Sequence, residues 1–150
     1  MSDATVVAAP VLESFSRKLL IAAGATDREA EVVADHLVES SLLGHDSHGI
    51  LRLPEYLGFV AEGSITVGAE ITVDQRSPSS AVVDCGLGFG PVGAVRAIET
   101  AIALATESGT GCVVTHRCNH VARLGAYVQL AADRGLVALA TCNSPIHGHF

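Results

Sequence analysis

The chain has 150 residues, 49% of them hydrophobic and 4% aromatic, with no Trp and a formal net charge of -7, enough for one domain whose core is built from Ala, Val, Leu and Ile. The nine basic residues are scattered and form no stripe able to neutralise a run of phosphates, which argues against nucleic acid as a partner. No apolar run reaches membrane-spanning length and the N-terminus lacks a positively charged leader, so no membrane partner and a cytoplasmic location are expected.

Pro10 sits where a first helix would begin, and Leu12, Phe15, Leu19 and Ala22 follow at helical spacing until Gly24 stops it. Thr26-Asp27-Arg28-Glu29 is a capping-box pattern, a hydroxyl at the cap and a carboxylate three residues on. Ala30, Val33, Ala34, Leu37, Val38 and Leu42 then recur with helical period. His36 lies inside this second helix, one residue before an apolar position, and reads as a boundary residue and not a ligand.

The second helix delivers the chain to Gly44-His45-Asp46-Ser47-His48-Gly49-Ile50-Leu51-Arg52-Leu53-Pro54-Glu55-Tyr56. An acid, a hydroxyl, two imidazoles and a guanidinium crowd together here. Ser47 is a suitable N-cap for the turn that follows. Pro54 inside a helix would remove a donor and clash, so a short helical turn, a kink and a second helix to about Ala61 are expected. Histidine titrates near neutral pH and arginine offers a planar fork that matches a carboxylate. The plainer alternative is a surface ion pair between Asp46 and Arg52, with the histidines incidental.

Ala61-Glu62-Gly63-Ser64 closes that helix and the composition changes. Residues 71–73 and 80–85 read as two short strands separated by the turn-type cluster Arg76-Ser77-Pro78-Ser79. A helix is expected from Pro91 or Val92 to Thr106, a strand over 111–115, a helix over 121–132 and a strand over 136–142. The fold class is therefore α/β: N-terminal helices over residues 1–65, then over 66–150 an incomplete mixed sheet with βαβ units. Because residues 143–150 follow the last strand directly, with no closing helix or polar tail, further sheet is expected to follow. Cys85, Cys112, Cys118 and Cys142 are single and sit mostly in apolar runs, which predicts reduced, structural thiols.

Gly88-Phe89-Gly90-Pro91-Val92-Gly93 matches a dinucleotide fingerprint after a strand and before a helix, but the next strand ends in Thr115-His116-Arg117, without the acidic residue that holds a ribose. The glycines are assigned instead to a tight strand-to-helix turn. His116-Arg117-Cys118-Asn119-His120, with His147 and His149, could assemble metal donors, but the spacing is that of no closed zinc site and no metal is expected. A residue just past the carboxyl end of a parallel strand lies where open α/β sheets bind ligands, which makes His120 a candidate acid or base. Asn143 and Ser144 can line the same crevice or simply end a strand.

Ser47-His48-Gly49 with Arg52 and Pro54, then Asn119-His120 followed by Gly125 and Tyr127, then Gly135-Leu136 leading to Thr141-Cys142-Asn143-Ser144, resemble the type 2 malate/L-lactate dehydrogenase family from about Val11 to the last residue. The resemblance implies an NAD(P)-binding fold that is not Rossmann and hydride transfer between NAD or NADP and a small-molecule 2-hydroxy/2-oxo acid. It makes Ser47 and His48 an active-site pair with His48 a proton donor, Arg52 the clamp on the substrate carboxylate, and His120 the proton acceptor of some members. It places His120, Val121, Ala122, Arg123 and Leu124 along the cofactor and Ser144 at the nicotinamide, beside Asn143. Here Val121-Ala122-Arg123-Leu124 separates the histidine from Gly125, where many members have glycine sooner. The family extends well past residue 150, so this chain is expected to be its N-terminal part, inactive alone, and a homodimer when complete. A fragment that only binds or oligomerises is the alternative, and a metal-dependent hydrolase the third.

Overall fold

A computed structural model describes residues 6–143. The front of the chain is helical. Helix α1 (Ala9–Ala22) has Pro10 in its first turn, where a missing N–H breaks no bond, and is followed by Gly24 at φ 101°. Helix α2 (Asp27–Leu42) starts on the expected capping box: the Thr26 hydroxyl accepts from the Glu29 amide, and the Glu29 carboxylate accepts from the Thr26 amide. The same carboxylate, 6% exposed, also accepts the Gly68 amide at 2.9 Å, so one cap ties α2 to the segment leading into the sheet.

Two 3-10 turns, Asp46–His48 and Ile50–Arg52, lead into helix α3 (Leu53–Ala61), with Pro54 in its first turn. Turn, kink and helix thus follow the expectation from proline. Ser47 does not cap: it lies inside the first turn, and no side chain caps that turn.

The sheet has three strands in the order β1 (Thr72–Ser77), β2 (Ser80–Asp84) and β3 (Cys112–His116). The first pair is an antiparallel hairpin, and β2 and β3 are parallel, joined by helix α4 (Gly90–Ser108). One βαβ unit in a mixed sheet matches the predicted class. Strand β1 runs through Arg76 and Ser77, residues assigned above to a turn, because the hairpin closes later, with Ser77 opposite Ser80.

Two other expectations fail. Helix α5 spans Gly125–Ala132, not 121–132, since Ala122 takes φ 55° and breaks helical geometry ahead of it. Residues 136–142 form no strand: the Leu136 amide bonds back to the Ala131 carbonyl at the end of the preceding helix, no described residue pairs with the backbone of residues 137–142, and Val137 and Leu139 are exposed. The four cysteines are free, but only Cys85 is buried, whereas Cys112 and Cys142 are exposed and so play no packing role.

Core residues from the helical front (Leu20, Val33, Leu37, Leu53, Tyr56) form one cluster with Phe89 and Ala122 from the back. That shared cluster sets the motif after α2 against the loop after β3.

Candidate active site

The motif turn is held by close backbone packing. Gly49 is buried, and a Cβ there would collide with the Ser41 hydroxyl of α2, which accepts the Ile50 amide at 2.9 Å. Within the turn, Ser47 Oγ and His48 Nδ1 are 2.9 Å apart, which fixes the orientation of that imidazole. Arg52 Nε donates to the Ser47 carbonyl at 2.6 Å, and its Nη1 to Glu55 at 2.6 Å. The Asp46–Arg52 pair considered from sequence is not formed; Glu55 takes the arginine because it lies one helical turn further on.

His120 arrives from the other half of the molecule. It follows β3 in a loop that Asn119 pins down, its side-chain amide donating to the carbonyls of Leu87 at 2.8 Å and Gly88 at 3.0 Å. The loop crosses the start of α4 so closely that a Cβ on Gly90 would collide with the carbonyl oxygens of Asn119 and His120. The glycine-rich stretch is therefore a seat for protein backbone. Gly90→Ala is expected to destabilise the chain by more than about 2 kcal/mol, because the obstacle is backbone on both sides. A urea unfolding midpoint equal to that of the parent would show that the loop can retreat.

Three rings then meet. His120 stacks on His48 with centroids 5.5 Å apart, and Tyr56 of α3 meets His120 edge-on at 6.0 Å. The buried Tyr56 hydroxyl lies 2.9 Å from His120 Nδ1 and donates to the His120 carbonyl at 3.1 Å. This engages Nδ1 and leaves Nε2 with no protein partner among the described residues. Burial holds the Tyr56 phenol well above its ordinary pKa, so it stays a neutral hydrogen-bonding support. Loss of hydration lowers the pKa of His120, helped by the charges of Arg52 and His48. His48 is lowered too, by desolvation first and then by Arg52 and His45. Both imidazoles are thus biased to the neutral form, able to take a proton.

The segment after His120 has mixed uses. Ala122 is 5% exposed, and Arg123 is turned inward to Glu39 at 2.8 Å, so neither presents an open side chain. Among the described residues the amides of Val121, Ala122 and Leu124 have no acceptor, so this short stretch offers donors of the kind a carboxamide or phosphate oxygen accepts. Asn143 is exposed, and Ser144, His147 and His149 lie outside the described residues. His116 faces Asp84 at 4.0 Å, Cys118 faces Gly90 and His120 faces Tyr56, so those three do not converge.

Sequence reasoning gave no role to Tyr56, whose only signal was its spacing of four from Arg52, the residue that precedes α3. It also misjudged His36: this residue is 7% exposed, not a boundary residue, because its ring is covered by Tyr127 of α5.

Known proteins share the sequence and the fold of this chain. Malate dehydrogenase from Pyrococcus horikoshii is 34% identical over 133 residues, 89% of this chain and 37% of that protein. Its solved structure superposes with a TM-score of 0.86 at 32% identity, covering 90% of this chain and 39% of that one. L-sulfolactate dehydrogenase from Methanocaldococcus jannaschii is 35% identical over 121 residues, 81% of this chain and 35% of that protein. (2R)-3-sulfolactate dehydrogenase (NADP(+)) from Chromohalobacter salexigens is 35% identical over 133 residues, 89% of this chain and 40% of that protein. The chain thus spans well under half the length of these relatives. With residues 7–147 matching the family model for malate/L-lactate dehydrogenase, the chain belongs to the malate/L-lactate dehydrogenase family.

Proposed function

We propose that this chain carries the proton-transfer and carboxylate-binding residues of a dehydrogenase that interconverts a 2-hydroxy acid and its 2-oxo acid with NAD or NADP. The observation that carries the proposal is the stack of His48 on His120 beside Arg52, three polar groups that the fold gathers from both halves of the chain. The names of the relatives, malate and sulfolactate dehydrogenases, point to the same substrate class.

Arg52 fixes the substrate carboxylate, with Nη2 and the remaining Nη1 hydrogen left to it by Ser47 and Glu55. His120, oriented by Tyr56, takes the hydroxyl proton at Nε2 during oxidation and returns it during reduction. His48, held by Ser47, packs the other face of that ring and bounds the substrate. NAD(P) supplies the hydride acceptor or donor, and the backbone of residues 121–124 would hold it through the amides of Val121, Ala122 and Leu124. A site there, away from the glycine-rich turn filled by the His120 loop, is what a cofactor fold other than Rossmann requires. Residues 1–65 supply the substrate side of this site and residues 66–150 the start of the cofactor side.

The test uses the longest natural polypeptide that contains this chain, assayed with NADH and NADPH against malate-type, lactate-type and sulfonated 2-oxo acids. Because the pKa of His120 lies below the ordinary imidazole value of about 6.5, the neutral base needed for oxidation persists on acidification. Oxidation kcat/KM should therefore hold from neutral pH to below about 6.5 and fall only as pH drops through the lowered value. Reduction, which needs the protonated ring, should rise over that same interval. No turnover with any of these acids, or an acid limb for oxidation above neutrality, would overturn the assignment.

A further inference from the structure

His36 lies outside the motif, yet it is joined to the segment that follows His120. Its Nε2 accepts the Arg123 amide at 3.1 Å, and its ring stacks on Tyr127 with centroids 5.1 Å apart. One turn along α2, Glu39 accepts from the Arg123 guanidinium at 2.8 Å. The Tyr127 hydroxyl donates in turn to the Val121 carbonyl. Three ties thus grip a four-residue segment whose second residue, Ala122, sits at φ 55°, a conformation that a residue with a Cβ rarely adopts without outside support.

We propose that His36 is a positioning residue for His120: its acceptor nitrogen holds the backbone of residues 121–124 and so sets both the imidazole and the cofactor-facing amides. The inference rests on the function proposed above. An acceptor Nε2 requires the neutral ring with its proton on Nδ1. Burial first, then the charges of Arg123, His120 and His48, lower its pKa to about 4, so the ring is neutral wherever the enzyme would work. Glu39, which also faces this corner, is engaged by Arg123.

Two variants separate positioning from bulk packing, in the same full-length polypeptide. His36→Leu fills the space and removes the acceptor, whereas His36→Gln restores an acceptor at the same reach. Hydrogen exchange of the Arg123 amide should quicken at least about tenfold in the Leu variant and stay within about threefold of the parent in the Gln variant. kcat should fall at least about tenfold in the Leu variant and recover with Gln, while KM for the hydroxy acid, set by Arg52, stays within about threefold. The idea is overturned if Arg123 exchange is unchanged in the Leu variant, if exchange quickens without loss of kcat, or if both variants lose kcat equally. Should the parent polypeptide show no dehydrogenase activity, the proposed function fails by itself, and the role of His36 in catalysis falls with it; the exchange comparison then reports only whether the tie exists.

Discussion

Arg52→Lys should lower kcat/KM for the 2-oxo acid by about 2 to 4 kcal/mol in the full-length enzyme. The substitution keeps the positive charge, so a loss of this size would measure geometry. In the fold, Arg52 spends Nε on the Ser47 carbonyl and one Nη1 hydrogen on Glu55, two bonds that aim the rest of the guanidinium. Lysine can make one such contact or hold the substrate, but it has no planar fork with which to do both. The Glu55 pair is exposed on both sides, 33% and 40%, so it contributes little to stability and orients the clamp at small energetic cost. Steady-state kinetics in which kcat/KM stays within twofold of the parent would remove Arg52 from the carboxylate site.

The histidine pair should divide the remaining work unequally. His120→Ala is expected to lower kcat roughly 100-fold or more and to flatten the pH profile near neutrality, because the free Nε2 is the atom proposed to transfer the proton. His48→Ala should act mainly through KM: its Nδ1 is already engaged by Ser47, and its face, not its proton, is set against His120. Tyr56→Phe offers an intermediate case, since the ring of His120 would keep its stacking but lose the hydroxyl that orients it. If His48→Ala loses the pH dependence and His120→Ala keeps it, the proton belongs to His48. If both keep a normal profile, neither imidazole transfers it.

Much of this chain can be read locally. The capping box at Thr26 to Glu29, the prolines in the first turns of α1 and α3, and the apolar period of α2 specify helices that close their own hydrogen bonds within four residues. The crowding of Ser47, His48 and Arg52 is equally local, as are the ordered motifs that carry the family resemblance. Tertiary structure decided what needs a distant partner. A strand exists only where a neighbour accepts its bonds, so the apolar run 136–142 looked like a strand without forming one among the described residues. The missing ribose-binding acid already marks the glycine-rich stretch as a tight turn, but only the fold shows that the His120 loop fills the space beside Gly90. Tyr56 meets His120, 64 positions further along the chain, and His36 meets Arg123, 87 positions further along. No spacing rule in a sequence records such pairings, because they are set by which apolar faces share a core, and only the packed fold brings those faces together.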